Sequence, residues 1–251
     1  MKSSWIIATK ESTEILRSQR GLMGLLIYSG LLSAFSLLLV SNTELSLLDN
    51  AQVVYMMAGT VLSAGALLAS ILGSDTYAGE KERGTLVPLL CTPIDSTALL
   101  TGKGLGMLIV WCIMFVTATP YLWAVGASGQ NLGAALVYLA LFGTPVVLGF
   151  GLLAMALSAR TGSVLASSLS IITLLMLAAT PLLIGPGLRG TAIGRAMDAV
   201  NPFAGALNTF DSVIIDSEPF SAQMARLLLV AVWLIFCLMV ARRNAAHPNF
   251  Q

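Results

Sequence analysis

The chain of 251 residues is 57% hydrophobic and only 10% charged, with a formal net charge of +1. Soluble globular domains carry about 25% charged residues, so this composition excludes a soluble domain and indicates a protein that crosses a membrane several times. The net charge gives no reason to expect nucleic acid as a partner, and a single histidine, His247, leaves almost no material for a histidine-based metal site or catalytic triad.

The amino-terminal residues 2–20 have an amphipathic helical pattern. Lys10, Glu14 and Arg17 share one helical side, and Trp5 lies on another. This spacing predicts a helix that lies in the membrane interface, with Trp5 as its main anchor. A solvated tail is the alternative.

Six long apolar stretches predict six transmembrane helices, because about 20 residues of helix cross a hydrocarbon core about 30 Å thick. They cover approximately residues 21–40, 51–73, 105–126, 134–158, 163–183 and 222–241. We therefore expect an all-α, polytopic membrane protein whose residues 1–251 form one transmembrane domain.

The fourth predicted span contains a proline near its middle. Pro145 removes a backbone donor and clashes with the preceding turn, so this helix should kink there. Gly149 follows one turn later, and the two residues predict a hinge.

The segment between the fifth and sixth predicted spans, residues 184–221, is too short and too charged for two more spans. Asn201 can cap a helix that starts at Pro202. Apolar side chains then recur at i, i+4 and i+7, at Phe203, Leu207 and Phe210. The pattern predicts short amphipathic or re-entrant helices on the outer face; a solvated loop is the alternative.

Basic residues predict the orientation in the membrane. Ten of the thirteen lie at the termini, between the second and third spans, or between the fourth and fifth: Lys2, Lys10, Arg17, Arg20, Lys81, Arg83, Lys103, Arg160, Arg242 and Arg243. The positive-inside rule then places both termini in the cytoplasm, which agrees with an even number of spans.

Residues 74–104, which we call the charged segment, lie between two apolar stretches. Seven charged side chains occur here: Asp75, Glu80, Lys81, Glu82, Arg83, Asp95 and Lys103. We expect a solvated turn at 80–83, a break at Gly84, and then two short helices, the second starting at Asp95 or Ser96. The apolar face of the first would be formed by Leu86, Leu89 and Leu90.

The charged segment contains a motif formed by Glu80, Glu82, Gly84, Thr85, Leu86, Leu89, Leu90, Thr92 and Pro93, followed by Lys103. This motif resembles the cytoplasmic signature of the type-2 permeases of ATP-binding-cassette (ABC) transporters. Val87 departs from the pattern, since many members have an acidic residue there. The similarity covers essentially the whole chain, including Asn201, Pro202 and Phe203 in the outer segment. It implies that the charged segment forms a coupling helix that docks into a cleft of an ATPase subunit.

The chain lacks a phosphate-binding loop of its own. Gly102-Lys103 is the only Gly-Lys pair, but Gly104 follows where Ser or Thr is needed and Thr97 stands where the first glycine belongs. We therefore expect no enzyme activity and no cofactor bound by this chain. The resemblance implies two copies of a separate ATPase subunit that hold ATP and magnesium, and a second permease, identical or homologous, in the bacterial cytoplasmic membrane.

The leading hypothesis is thus the permease subunit of an ABC exporter. An ion-driven secondary transporter would need an ionisable residue inside the bundle, and no predicted span has one away from its ends. A membrane scaffold that recruits an ATPase without transporting anything stays open as an alternative. The uncharged spans are compatible with a lipid, glycolipid, hydrophobic peptide or drug as substrate, and their composition does not distinguish among these classes.

Overall fold

The structure, a computed structural model, describes residues 2–41, 50–86, 88, 95–126, 131–183 and 191–245. Within these ranges the regular structure is helical and no β-strand occurs. The α-helices are α1 (Lys2–Arg17), α2 (Gln19–Ser41), α3 (Asn50–Glu82), α4 (Ser96–Gly126), α5 (Leu132–Tyr138), α6 (Thr144–Arg160), α7 (Val164–Leu183), α8 (Ala192–Val200), α9 (Pro202–Phe210) and α10 (Met224–Ala245). The predicted all-α fold is confirmed.

Five helical stretches among the described residues are long and apolar enough to cross a membrane. They are Gln19–Ser41, Asn50–Glu82, Thr97–Gly126, Leu132–Arg160 and Phe220–Ala245. The residues predicted as the fifth span form helix α7, but its apolar part, Val164–Thr180, is shorter than the five stretches above, so a sixth span stays a prediction. The structure therefore supports an integral, multi-pass membrane protein with five clear spans.

Helix α3 occupies the centre of the bundle. It packs against α2, α4, α6 and α7, and most of its side chains in the span are buried. By contrast, α2 and α10 lie at the periphery and expose large apolar side chains, including Leu26, Leu37 and Leu228. Exposed apolar surface of this extent is suited to contact with lipid tails.

The amino-terminal residues form helix α1. It packs along the first half of α4 through a face that includes Ala8, Glu11 and Ser12, all of them buried. Trp5, the predicted anchor, is 59% exposed. Its place in the membrane interface stays a prediction.

The fourth predicted span changes its hydrogen-bond pattern just before Pro145. Helix α5 passes into a π-helical turn, Leu139–Gly143, and Pro145 is among the first residues of α6. The wider turn accommodates a residue that cannot donate a backbone hydrogen bond. Gly149 packs against the indole of Trp233, since a Cβ atom there would lie within 3 Å of the ring. Whether this region acts as a hinge stays a prediction.

Residues 191–221 contain two short α-helices, α8 and α9, and their place on the outer face of the membrane stays a prediction. Asn201 Oδ1 accepts hydrogen bonds from the backbone N–H groups of Phe203 and Ala204, at 3.0 and 3.3 Å, and so caps α9. Phe203, Leu207 and Phe210 are buried. Helix α9 therefore inserts its apolar stripe into the bundle. Helix α8 before it is largely exposed.

Candidate functional site

The carboxyl-terminal end of α3 carries the first part of the charged segment. We predicted a solvated turn at 80–83, and this is wrong: α3 continues through Glu82. Two residues after its end, Gly84 has a φ of 69°, which lies in the left-handed region. The backbone N–H of Thr85 donates to the carbonyl of Glu80, and that of Gly84 to the carbonyl of Lys81. This pair of bonds is a Schellman motif, in which glycine is favoured.

Glu80 belongs to a buried ion-pair cluster. Lys103 Nζ lies 2.9 Å from Glu80 Oε1 and 3.0 Å from Glu11 Oε1, and it also donates to the carbonyl of Thr76 at 3.1 Å. The side chain of Lys103 is 1% exposed, and its ammonium lies 5.3 Å from the ring centroid of Tyr77. We call Glu11, Glu80 and Lys103 the latch. It joins one residue from each of α1, α3 and α4.

The next two residues of α3 contact two further helices. Lys81 Nζ donates to the carbonyls of Ala159 and Thr161, at 2.8 and 2.9 Å, where α6 ends. Glu82 Oε1 accepts from the backbone N–H of Val164 at 2.8 Å, at the first residue of α7. A cation at a helix carboxyl terminus and an anion at a helix amino terminus both interact favourably with unpaired backbone groups.

A more exposed ion-pair group lies one turn earlier. Asp75 pairs with Arg20 of α2 at 2.7 Å and with Arg83 at 3.2 Å. Both arginine side chains are at least 60% exposed, so these pairs add little stability on their own. They still bring α2 into contact with the end of α3, which now touches α1, α2, α4, α6 and α7.

Ser158 fixes α6 against the same part of α3. Its buried hydroxyl accepts hydrogen bonds from the backbone N–H groups of Tyr77 and Ala78, at 3.1 and 2.7 Å. It donates to the carbonyl of Ser74 at 2.7 Å. One side chain thus saturates its hydrogen bonds across a helix interface, which makes the α3–α6 contact directional.

The remaining signature residues are only partly described. Thr85 is exposed, whereas Leu86 is 2% exposed and packs into the core of this chain. Leu86 therefore anchors the charged segment to the bundle just after the turn at Gly84. Leu89, Leu90, Thr92 and Pro93 lie outside the described residues.

The second predicted helix of the charged segment is not separate from the span that follows. Helix α4 starts at Ser96, as expected, but continues without a break to Gly126. The Thr97 hydroxyl donates to the carboxylate of Asp95 at this start. Lys103 consequently lies within one continuous helix of 31 residues.

A cleft of about 1420 Å³ opens between α2 and α7, with α3 as its floor. One end is lined by charged side chains of α1, α2 and α3, among them Lys10, Arg20 and Asp75. The other end reaches Phe203 and Leu207 of α9. Between these ends the lining is mainly apolar, with Tyr28, Tyr55, Thr60 and Ser63 as polar side chains.

The sequence singled out Glu80, Glu82 and Lys103 but assigned no role to Glu11 or Lys81. Glu11 shares a helical face with Ala8 and Ser12, and an acid on such a small-residue face could have indicated burial. No pattern in the sequence indicated that Lys81 would bind another helix. Among the described residues no group of His, Cys, Asp and Glu is arranged to hold a metal ion.

A protein-family model described as an ABC-2 family transporter protein matches residues 5–243. The match includes every helix described above apart from the first residues of α1 and the last of α10. No curated protein matches the chain significantly in sequence.

Proposed function

Because the chain belongs to the ABC-2 family of transporter proteins, we propose that it is the membrane-spanning permease of an ABC exporter. In this proposal a separate ATPase subunit, in two copies, binds the charged segment and holds ATP and magnesium. A second permease, identical or homologous, completes the complex in the bacterial cytoplasmic membrane.

The observation that carries the proposal is the contact pattern at the end of α3. Glu80, Lys81 and Glu82 are consecutive residues, and each binds a different part of the bundle: Lys103 of α4, the end of α6, and the start of α7. A displacement of the charged segment would therefore be transmitted to several spans at once. Rigid-body displacement of this kind is how ATPase closure can reorient a transmembrane bundle.

We further propose six spans, with α7 as the fifth in chain order. Its 20 helical residues extend about 30 Å at a rise of about 1.5 Å per residue, which matches the hydrocarbon core. With the basic residues counted above, six spans place both termini and the charged segment in the cytoplasm.

The cleft between α2 and α7 is our candidate for the surface where the second permease and the transport pathway meet. Its mainly apolar wall suits an amphipathic or hydrophobic substrate taken from the membrane. The charges at one end would face the cytoplasm in the proposed orientation.

A membrane scaffold that recruits an ATPase is the second candidate function. The same contacts at the end of α3 would support it, because recruitment also needs a docking segment. ATP-dependent movement of a labelled lipid or drug in vesicles would favour the exporter. Stable ATPase binding with no movement of any substrate in the native complex would favour the scaffold.

The test of ATPase binding compares two substitutions on opposite sides of the membrane. Leu89→Asp places a charge in the expected docking face, and Ile193→Asp places the same charge on α8, where the isoleucine is 75% exposed. Each variant is purified from native membranes, and the amount of co-purified ATPase subunit is measured. The proposal predicts loss of the ATPase with Leu89→Asp and retention with Ile193→Asp. Equal retention in both variants would contradict it.

A further inference from the structure

We infer that the latch makes the amino-terminal helix α1 a moving part of the coupling machinery, with Lys103 as its positioning residue. The inference rests on the proposed function, since it needs an ATPase that acts on the charged segment. It assigns to α1 a role beyond attachment to the membrane surface.

The first step is the geometry of the latch. Lys103 Nζ binds Glu11 of α1 and Glu80 of α3 through two ion pairs of 3.0 and 2.9 Å. Glu11 and Glu80 are also nearly buried, with side chains 10% and 13% exposed. Charges in such surroundings are weakly screened, so separating any one from the other two leaves an uncompensated buried charge.

The second step is the fit of α1 on α4. A Cβ atom on Gly102 would lie 2.6 Å from Ile7 Cβ, and one on Gly106 would lie 3.0 Å from Glu11 Cβ. The two helices therefore touch through glycines on either side of Lys103. These contacts are non-directional packing, whereas the ion pair between Glu11 and Lys103 fixes the position of α1 along α4.

The third step connects the latch to the proposed site of force. Glu80 lies two residues before Glu82, the last residue of α3, and four residues before the turn at Gly84. A displacement of the charged segment beyond this turn moves Glu80, and Lys103 transmits the displacement to Glu11. Helix α1 then moves with α3 and α4 as one body.

The test uses two glutamates of the same helix. Glu11→Gln removes the charge that ties α1 to Lys103, and Glu80 still balances the ammonium, so the fold should be kept. Glu14→Gln is the matched control, because Glu14 is 61% exposed and pairs only with Lys10, at 3.5 Å, among the ion pairs of the described chain. Both variants are purified as full complexes with the ATPase subunit.

The readout is hydrogen–deuterium exchange in the nucleotide-free complex and in the complex trapped with ATP, magnesium and vanadate. In the wild type and in Glu14→Gln, we expect nucleotide-dependent changes in both residues 74–104 and α1. In Glu11→Gln, the change in residues 74–104 should persist and that in α1 should fall by about threefold or more. Two results would contradict the inferred role of the latch. One is an unchanged exchange response of α1 in Glu11→Gln, and the other is a wild-type response confined to residues 74–104.

A charge exchange guards against misfolding of a single variant. Glu11→Lys combined with Lys103→Glu keeps one positive and two negative charges in the cluster, whereas Glu11→Lys alone does not. The double variant should recover the α1 response, and failure to recover it in a folded complex would count against the latch. Absence of an ATPase from the purified wild type, or of any nucleotide response in residues 74–104, would instead overturn the proposed function.

Discussion

A methyl group on Gly73 would lie 2.6 Å from the carbonyl oxygen of Gly151, so the backbones of α3 and α6 are almost in contact there. Small residues permit this approach, and close backbone packing is a main source of cohesion between helices in lipid. We expect Gly73→Ala to destabilise the protein by about 1 to 3 kcal/mol, because a carbonyl cannot move aside as a side chain can.

Thermal unfolding in detergent measures the effect of Gly73→Ala as a lowered midpoint. Gly104→Ala is the control, since its Cβ would meet only Leu152 Cδ2, at an ordinary 3.7 Å. That change should leave the midpoint unchanged or raise it. An equal response of the two variants would show that backbone contact at Gly73 is unimportant.

Gly84 provides a test of backbone conformation without steric conflict. Its φ of 69° is strained for any residue with a Cβ, although nothing lies within 4 Å of the position that a Cβ would occupy. Gly84→Ala should therefore cost about 1 kcal/mol. Gly30→Ala, in open space on α2 and without a positive φ, should instead stabilise the helix by about 0.5 to 1 kcal/mol. Chemical denaturation of both variants measures the change in the free energy of unfolding. A change of the same sign in both would contradict the left-handed conformation of Gly84.

Lys103 is the charge on which the latch depends. Lys103→Met keeps most of the side-chain volume but leaves Glu11 and Glu80 facing each other in a buried site. We expect a loss of about 3 to 5 kcal/mol in stability, as for other buried ion pairs that lose one partner. Lys10→Met removes a lysine that is 57% exposed, and its effect should stay within about 1 kcal/mol. The measurement is the unfolding midpoint at matched detergent concentration; similar midpoints for the two variants would contradict a buried latch.

The sequence predicted the helical class, the approximate positions of five spans and the cap of α9 because these follow from local patterns. Apolar length predicts a span, and Asn201 followed by Pro202 predicts a helix start, whatever the neighbouring helices do. The break at Gly84 was predicted for the same reason, since it depends on one residue and its own φ.

The latch and the end of α3 could not be predicted in this way. Glu11 and Lys103 are 92 residues apart, and their pairing depends on how α1 lies along α4. Glu80 and Lys81 look like solvated charges in the sequence, and only the positions of α4 and α6 show that both have partners. Leu86 was expected on an exposed docking face, but its side chain is buried in the bundle. The sequence does not specify the direction of this side chain, which depends on the turn at Gly84.

Contact between the charged segment and an ATPase is the central claim, and photocrosslinking tests it most directly. A photoreactive amino acid replaces Thr85, which is exposed just after the Schellman turn, and a second variant carries it at Ile193 as a control. After illumination of native membranes, mass spectrometry identifies the crosslinked protein. We predict an adduct between position 85 and an ATP-binding-cassette subunit, and none from position 193. An adduct with that subunit from position 193, or none from position 85 in membranes that contain the subunit, would contradict the account.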